Sequence, residues 1–302
     1  MSTIIMTGAT SFLGLNTLSH LLSQGNTIYA LVRKDSPKLP LLPDSPNLIT
    51  IYGDLNDIDI IYNFVKKANY FLHFGWDGSG NLGRADTEMQ NKNIAYSIKA
   101  LKLAEKTNCS KFIFSGSQAE YGKTTEQIFE TNKCSPISAY GKAKLKFSEY
   151  AFKYTQNKPI EFLHLRIFSV YGYGDRDNTL VDLCVKNFDA DTLTQLGCCQ
   201  QYWNYLYIDD FVFIITKLLN YPTKSGIYNI ASKDTRILRD FVEEIYDLST
   251  KKGKYTFSAN EQNPEGSPIL QPNIDKLISI IGNFEFKLFS EGIKEIKEKM
   301  KG

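Results

Sequence analysis

The sequence has few of the residues that bind transition metals. It contains five cysteines and three histidines. No two cysteines have the C-x-x-C spacing of zinc sites, and no histidine lies close to a cysteine in the sequence. We therefore expect no metal site. An odd number of cysteines without a regular framework is typical of reduced thiols in a cytoplasmic protein.

The chain also lacks a strong excess of either charge and any long apolar run. Its formal net charge is +2 and it has no block of five or six basic residues, so we expect no binding to nucleic acid. The longest apolar stretch, FVFIITKLL from Phe211, is far too short to cross a bilayer. The first residues, MSTIIMTGAT, do not resemble a secretion signal. These features predict no membrane partner and a cytoplasmic location.

The first half of the chain alternates short apolar runs with helical patterns. The apolar runs are TIIM, TIYALVR, LITIYG, NYFLHF, KFIFSG and EFLHLRIFSVYG, and the helical patterns lie near residues 12–24, 58–67, 86–107 and 136–156. Because the runs are apolar throughout, we expect strands that are buried on both faces, as in a parallel sheet. The sequence therefore predicts an α/β fold with a doubly wound, Rossmann-type parallel sheet and right-handed crossovers.

The rhythm changes after Gly172, where polar connections become longer. We predict a dinucleotide-binding domain at residues 1–172, with segments at about 205–235 returning to its main sheet. These returning segments are YLYIDDFVFIITKLLN and GIYNIAS. Residues 173–204 and 236–302 are expected to form a smaller, discontinuous C-terminal lobe that binds the substrate.

A glycine-containing segment, TGATSFLG (7–14), joins the first apolar run to the first helical pattern. This is the position of a phosphate-binding turn. Gly8 permits the tight turn, Gly14 lets the helix and strand approach, and the helix N-terminus presents N–H groups to a pyrophosphate. Ser11 replaces the middle glycine of the pattern, which adds a hydroxyl donor. The segment predicts dinucleotide binding.

The end of the second apolar run, ALVRKDS, bears on the choice of cofactor. A carboxylate there would accept a hydrogen bond from the 2′-hydroxyl of NAD, whereas Arg33 and Lys34 stand in its place and suit the 2′-phosphate of NADP. The alternative is that the two residues are simply an exposed basic pair, and Asp35, two positions after Arg33, weighs against a phosphate site. Asp54, in YGDLND after the third run, is expected at the adenine edge.

The segment SPISAYGKAK places Tyr140 and Lys144 four residues apart at the start of a predicted helix. This spacing puts the phenol and the ammonium on one helical face. A free phenol is a poor acid–base group at neutral pH, and a nearby ammonium favours its ionised form. The pair is a candidate for proton transfer.

Together these segments resemble the extended short-chain dehydrogenase/reductase family, specifically its nucleotide-sugar epimerases, dehydratases and ketoreductases. The resemblance spans nearly the whole chain, in the family's order, through TGATSFLG, GDLND, FLHFGW, QNKNI, SGSQAEYG, the tyrosine–lysine pair, LRIFSVYG, YLYIDD and GIYNIAS. It implies that Ser117 bonds the reacting sugar oxygen, that Tyr140 is the general acid/base and that Lys144 is its partner. It also implies a structural role for Asn93 and a homodimer formed through the two long helices.

The resemblance further implies which residues bind the cofactor and the substrate. Those expected at the cofactor are Gly8, Thr10, Ser11, Phe12, Leu13, Gly14, Arg33, Lys34, Asp54, Leu55, Phe74, Gly75, Trp76, Ser115, Tyr140, Lys144, Ile167 and Val170. Those expected at the nucleotide-linked sugar substrate are Trp76, Asp77, Arg84, Ser117, Gln118, Ser169, Asn178 and Trp203. The predicted cofactor is NADP, with NAD as the alternative.

The chain departs from the family in the residues that distinguish its reactions. Sugar 4,6-dehydratases have an Asp–Glu pair after the active-site hydroxyl residue, where this chain has Gln118 and Ala119. An amide and a methyl group cannot exchange the proton that dehydration requires. Reductases of the GDP-fucose synthase type have a cysteine at the second of these positions, so double epimerisation is disfavoured too.

Other departures concern the substrate pocket. Trp203 stands where many relatives have a phosphate-binding arginine, and Ser169 stands where an asparagine is frequent. The loop GWDGSGNLGR (75–84) is either part of the sugar pocket, with Arg84 replacing the missing phosphate contact, or a flexible connection.

The function that the sequence predicts is NADP(H)-dependent reduction of a nucleotide-linked 4-keto sugar, a 6-deoxy sugar made for a surface polysaccharide. One alternative is a C4 epimerase that keeps NAD bound. A second is a non-catalytic dinucleotide-binding protein, which the complete set of Ser117, Tyr140 and Lys144 argues against.

Overall fold

The computed structural model describes residues 1–80, 82–258 and 269–301. Its strands are β1 Thr3–Thr7, β2 Thr27–Val32, β3 Leu48–Tyr52, β4 Tyr70–His73, β5 Lys111–Ser115, β6 Glu161–Ile167, β7 Ser169–Tyr171, β8 Leu193–Leu196, β9 Tyr202–Tyr207, β10 Gly226–Ile230, β11 Thr235–Ile237 and β12 Lys254–Phe257. Its α-helices are α1 Phe12–Ser23, α2 Thr87–Lys106, α3 Ala139–Thr155, α4 Leu180–Asp189, α5 Ile208–Asn220, α6 Leu238–Asp247, α7 Asp275–Ile281 and α8 Phe289–Lys299.

The largest sheet has seven strands in the order β10-β6-β5-β4-β1-β2-β3. Every neighbouring pair in it is parallel. The reversal between β1 and β4 is the topological switch point of a doubly wound sheet, beside which the carboxyl ends of the strands form a ligand crevice. The prediction of a Rossmann-type α/β fold is confirmed.

Both faces of this sheet are covered, which explains why apolar residues follow one another along its strands instead of alternating with polar ones. One face packs against α1 and α5 through a core that includes Leu18, Leu21, Phe211 and Ile215. The other face packs against α2 and α3 through a second core that includes Leu101 and Phe147. The first core continues from the sheet into α4, α6 and α8, so that the C-terminal elements and the main sheet share buried side chains.

Two small sheets lie outside the main one. β11, β9 and β7 form a three-stranded sheet in which β9 lies between the other two, and β12 pairs with β8. GIYNIAS does return to the main sheet as β10, beside β6. The strand in YLYIDD was expected there too, and this expectation is wrong because β9 pairs with β7 and β11 instead.

Three other local predictions differ from the structure. The run EFLHLRIFSVYG is interrupted at Phe168, so β6 and β7 belong to different sheets. The helical pattern expected near 58–67 is a 3-10 helix at Leu55–Asn63. The helix expected near 136–156 begins at Ala139, because the Ser138 side chain caps its N-terminus by accepting a hydrogen bond from the Gly141 N–H.

No helix in the described ranges 1–80, 82–258 and 269–301 is both long and apolar enough to span a membrane.

Candidate active site

The turn between β1 and α1 has the geometry of a phosphate-binding turn. Gly8 has a φ of +73°, which glycine adopts without strain. A Cβ atom on Gly14 would lie 2.0 Å from the Gly8 carbonyl oxygen, so only glycine allows this approach of helix and turn. The Ser11 hydroxyl accepts a hydrogen bond from the Gly14 N–H (3.0 Å) and caps α1. The first turn of α1 therefore faces the crevice with its N-terminal end, where an anion is favoured.

The ends of β1 and β4 are joined by buried polar side chains. The Thr7 hydroxyl lies 2.7 Å from His73 Nδ1 and accepts a hydrogen bond from the Gly75 N–H (3.1 Å). His73 Nε2 lies 2.9 Å from the Ser97 hydroxyl on α2. Burial lowers the pKa of His73 to about 3, with a further contribution from Lys144, so the imidazole is neutral. These bonds fix the chain between Phe74 and Trp76 against the glycine turn.

The residues expected at the adenosine end of the cofactor lie around the ends of β2 and β3. Arg33 is exposed, and its Nη1 lies 3.6 Å from a carboxylate oxygen of Asp77. Asp54 caps the 3-10 helix that begins at Leu55. The pKa of Asp77 is raised, mainly by burial and also by Asp54, while Arg33 acts in the opposite direction. Asp77 is thus close to one carboxylate, Asp54, and one cation, Arg33, while Lys34 is exposed next to Arg33 in the sequence.

Ser117 lies just after β5 and is almost fully buried. It caps a 3-10 turn at Gln118–Glu120, and its hydroxyl accepts a hydrogen bond from the Ala119 N–H (3.2 Å). Its own N–H donates to a carboxylate oxygen of Glu120 (2.8 Å). The Glu120 side chain, three residues further along the chain, therefore fixes the backbone N–H of Ser117.

Glu120 is the centre of a buried polar network that the sequence reading did not identify. Its carboxylate oxygens lie 2.9 Å from His164 Nε2 and 3.2 Å from Arg166 Nε, and all three side chains are buried. The Ser148 hydroxyl lies 2.5 Å from His164 Nδ1. Burial lowers the pKa of His164. The Glu120 carboxylate raises it, but by less. Burial raises the pKa of Glu120, but His164, Arg166 and the Ser117 N–H together outweigh it, and the carboxyl stays ionised.

One feature of the sequence indicates this network. His164 and Arg166 stand two residues apart inside an otherwise apolar run, so they lie on one face of β6. Charged groups are rarely buried without partners. The sequence does not show which residue is their partner, because Glu120 lies 44 residues before His164 and 46 residues before Arg166.

Tyr140 and Lys144 lie on the first turns of α3, and both side chains are buried. The Lys144 ammonium donates to the Ser115 carbonyl at the end of β5 and lies 5.1 Å from the centroid of the Tyr140 ring. Helix α3 approaches the 3-10 turn closely, since a Cβ atom on Gly141 would lie 2.6 Å from the Ala119 carbonyl oxygen. The structure therefore places the helix with the tyrosine–lysine pair against the turn that Ser117 caps.

Burial lowers the pKa of Lys144 from 10.5 to about 7. Glu120 opposes this shift, and Arg84 adds to it. The ammonium also lies 4.2 Å from the centroid of the Trp76 ring, which favours the cationic form.

The loop after β4 is held to α2 by two buried amides. Gln90 accepts a hydrogen bond from the Trp76 indole N–H (2.7 Å) and donates to the Gly83 carbonyl (2.9 Å). Asn93 bonds the backbone N–H and carbonyl of Asp77 (2.9 and 2.8 Å). These contacts put Trp76 at the edge of the Tyr140 ring, with 6.2 Å between ring centroids. The sequence left two interpretations of this loop, a wall of the sugar pocket or a flexible connection. The contacts of its described residues favour the first.

A cleft of about 900 Å³ is lined by residues of α2 and α3, among them Ala139 and Ala143, which flank Tyr140 in the sequence; Ser117, Tyr140 and Lys144 are not among its described lining residues. Four of the residues expected at the substrate line it, namely Arg84, Gln118, Ser169 and Trp203. Its other lining residues include Lys142 and Lys146, and there is no acidic side chain among those that the structure describes there. Asn178 lies before α4, where its N–H donates to Asp182, and it is not among the described residues that line this cleft.

The remaining residues expected at the cofactor follow the carboxyl ends of the main-sheet strands. Thr10, Phe12 and Leu13 lie in the glycine turn and the start of α1, and Ile167 and Val170 flank the break after β6. No group of three or more histidine, cysteine or acidic side chains arranged to hold a metal ion occurs within the described ranges.

A doubly wound sheet, a glycine turn at its switch point and a buried tyrosine–lysine pair define a nicotinamide-dinucleotide-dependent enzyme of the extended short-chain dehydrogenase/reductase group. The model of the NAD dependent epimerase/dehydratase family matches residues 4–231. The chain belongs to this family.

Two relatives of the chain carry names that refer to nucleotide sugars. An uncharacterized UDP-glucose epimerase of Bacillus subtilis strain 168 is 26% identical over 277 residues, covering 84% of each chain. The CDP-abequose synthase of Salmonella muenchen is 24% identical over 251 residues, covering 82% of this chain and 80% of the relative.

Solved structures show the same fold. The UDP-glucose 4-epimerase of Thermotoga maritima, solved with UDP-glucose, has a TM-score of 0.88 at 19% identity, covering 99% of this chain and 98% of its own. The UDP-glucuronic acid 4-epimerase of Bacillus cereus, solved as a variant with a substrate analogue and NAD, has a TM-score of 0.87 at 20% identity and covers 99% of both chains.

Proposed function

We propose that this enzyme reduces the keto group of a nucleotide-linked 4-keto sugar with NADPH. The observation that carries the proposal is that Lys144 donates to the Ser115 carbonyl at the end of β5, while the helix that bears Tyr140 and Lys144 packs on the turn that Ser117 caps. Gln118, in the same turn, lines the cleft. Ser117, Tyr140 and Lys144 can polarise and protonate one carbonyl oxygen.

The residues present fit a nicotinamide dinucleotide. Gly8 and Gly14 let β1, the turn and α1 approach one another more closely than a Cβ atom would allow, and the N-terminus of α1 suits the pyrophosphate. Lys144 is the candidate to hold the nicotinamide ribose. When bound, the cofactor supplies a hydride to the carbonyl carbon.

The protein's own part in the reaction is to bind, orient and protonate. The Ser117 hydroxyl donates a hydrogen bond to the carbonyl oxygen and orients it. The Tyr140 hydroxyl gives that oxygen its proton, so that the carbonyl becomes an alcohol. Lys144 stabilises the phenolate that remains, and solvent then returns the proton.

Dehydration is disfavoured because the residues after Ser117 cannot move a second proton. Gln118 lines the cleft as an amide, and Ala119 is buried with only a methyl group. Glu120 is the first acid in this segment, and its carboxylate is occupied by Ser117, His164 and Arg166.

Arg33 supports NADP as the cofactor. Its side chain is 57% exposed, and a single contact of 3.6 Å joins it to Asp77. Such an exposed pair contributes little stability, so a 2′-phosphate can draw the guanidinium away from Asp77 at small cost. A bidentate arginine–phosphate contact is the stronger one.

The substrate class rests on the relatives, which include a nucleotide-sugar epimerase and a CDP-abequose synthase. Arg84, Lys142 and Lys146 give the cleft a positive lining that suits a sugar diphosphate in the absence of an arginine at Trp203. A role in making a 6-deoxy sugar for a surface polysaccharide, and a homodimer formed through α2 and α3, stay predictions.

A C4 epimerase with bound NAD is the second candidate. Asp54 and Arg33 both act on the pKa of Asp77, and a carboxylate at this place can accept a hydrogen bond from the ribose 2′-hydroxyl of NAD. The proposed epimerase would use the same three residues but leave no net oxidation of the cofactor.

Deuterated NADPH distinguishes the two candidates. With a panel of 4-keto nucleotide sugars, we expect one NADPH to be oxidised per sugar and one deuterium to appear at C4 of the alcohol, as read by absorbance and product NMR. Interconversion of two C4-epimeric alcohols without added cofactor, and without net loss of NADPH, would overturn the reductase in favour of the epimerase.

A further inference from the structure

We propose that Arg84 is a positioning residue for the acid/base tyrosine: its guanidinium, stacked on the Tyr140 ring, stabilises the phenolate together with Lys144. This inference rests on the proposed acid/base role of Tyr140. It gives the site two cations at the phenol, where the family pattern supplies one.

The stacking geometry is direct. The guanidinium carbon of Arg84 lies 4.2 Å from the centroid of the Tyr140 ring, within the range of a cation–π contact. Lys144 approaches the same ring from its own helix, with its Nζ 5.1 Å from the centroid. Tyr140 is only 7% exposed, so these charges act on the phenol with little screening by water.

The position of Arg84 is set by the fold rather than by the residue alone. The Gly83 carbonyl just before it accepts a hydrogen bond from the buried Gln90 (2.9 Å). Gln90 also bonds the Trp76 indole, and Trp76 packs edge-on against Tyr140. One amide on α2 thus holds both ends of the loop that brings Arg84 and Trp76 to the phenol.

The other ionisable groups around the pair leave a net positive field. Glu120, from the turn after β5, is the anion that acts on Lys144, and its carboxylate is already paired with Arg166. Burial lowers the pKa of His73 from β4 to about 3, so its imidazole is neutral, and burial also lowers the pKa of His164 from β6. The remaining cations that line the cleft are Lys142 and Lys146, both exposed on α3.

Arg84 matters as a second cation at the phenol because Lys144 is not charged at every pH. Burial lowers the pKa of Lys144 to about 7, so its ammonium loses its proton as the pH rises above neutral. An arginine side chain keeps its charge throughout this range. Arg84 therefore gives the phenol a cationic neighbour at pH values where Lys144 has become neutral.

A substrate-free titration tests this inference. The ultraviolet absorbance of tyrosinate is followed against pH, and the curve of the Tyr140→Phe variant is subtracted so that the other tyrosines cancel. The same subtraction is made in the Arg84→Gln, Arg84→Lys and Lys142→Gln backgrounds. Arg84→Gln should move the Tyr140 midpoint up by about one pH unit, the usual effect of losing a close opposite charge.

The two other backgrounds are matched controls. Arg84→Lys keeps the charge and should recover at least half of the shift. Lys142→Gln removes an exposed cation from the same cleft and should leave the midpoint nearly unchanged. An unmoved midpoint in Arg84→Gln, or an equal shift in Lys142→Gln, overturns the proposal. Thermal unfolding of each variant establishes that it is folded.

Turnover provides a second readout once a substrate is known. In the reductive direction the protonated phenol is the active form, so Arg84→Gln should move the alkaline limb of the pH profile upward. A raised KM with an unmoved pH profile would mean that Arg84 only grips the substrate, and it refutes the proposal. If no nucleotide sugar reacts, the proposed function fails, and the titration still decides the role of Arg84.

Discussion

Replacing Lys144 by methionine should stabilise this protein while abolishing its activity. Lys144 is 2% exposed, and burial lowers the pKa of its ammonium from 10.5 to about 7. Between these two pH values the unfolded chain holds a proton that the folded chain has released. The stability of the wild type therefore rises with pH across this window, and below it the full cost of burying the charge is present.

The size of the effect follows from the shift. Each unit of pKa difference corresponds to about 1.4 kcal/mol, so Lys144 costs about 4 kcal/mol at pH 7, about 2 kcal/mol at pH 9 and less than about 1 kcal/mol at pH 10. Methionine keeps the apolar stem but loses the hydrogen bond to the Ser115 carbonyl, which costs about 1–3 kcal/mol at every pH. We expect a net gain of about 2 kcal/mol at pH 7 that vanishes near pH 9.

Urea unfolding of both proteins at pH 7, 8, 9 and 10 measures this difference. Lys142→Met, a change of the same type at an exposed position two residues away, is the control and should show no pH-dependent difference. The deciding quantity is the change with pH in the free-energy difference between Lys144→Met and wild type. A difference that stays constant from pH 7 to pH 10 would refute the reasoning that Lys144 is buried at the cost of its charge.

Two further predictions concern the reaction. Tyr140→Phe should lower turnover by about two to four orders of magnitude and leave cofactor affinity nearly unchanged, because it removes only the hydroxyl; near-normal turnover, measured by NADPH oxidation, would exclude Tyr140 from proton transfer. Arg33→Asp should reverse the preference from NADPH to NADH in competition kinetics, because it deletes a phosphate partner and adds a repulsive charge beside Asp77. Arg33→Ser is its neutral control and should lose NADPH preference without gaining NADH affinity, whereas a wild type that already prefers NADH contradicts the prediction.

Much of the fold was predictable because it depends on short-range patterns. Continuous apolar runs separated by helical patterns require a sheet buried on both faces, and parallel strands joined by helices follow from that requirement. The glycine turn was predictable for the same reason, since the closeness of Gly8 and Gly14 in space follows from their closeness in sequence.

The strand pairing after β6 could not be predicted in the same way. YLYI is as apolar as the main-sheet strands, so its composition does not specify a partner. The break at Phe168 sends β7 out of the main sheet, and β9 pairs with β7. Which sheet accepts a buried strand is decided by the edges that are free when the rest of the fold is in place.

The candidate site also has one part that the sequence predicts and another that only the tertiary structure shows. The spacing of Tyr140 and Lys144 is a local feature, and so is the position of Ser117 just after an apolar run. Sequence reasoning could therefore identify these residues. The Glu120–His164–Arg166 network and the stacking of Arg84 on Tyr140 join segments that are more than forty residues apart. Local spacing determines which face of a helix or strand a side chain lies on. Only the packing of the sheet against α2 and α3 determines which charged groups come into contact and how strongly burial shifts their pKa values.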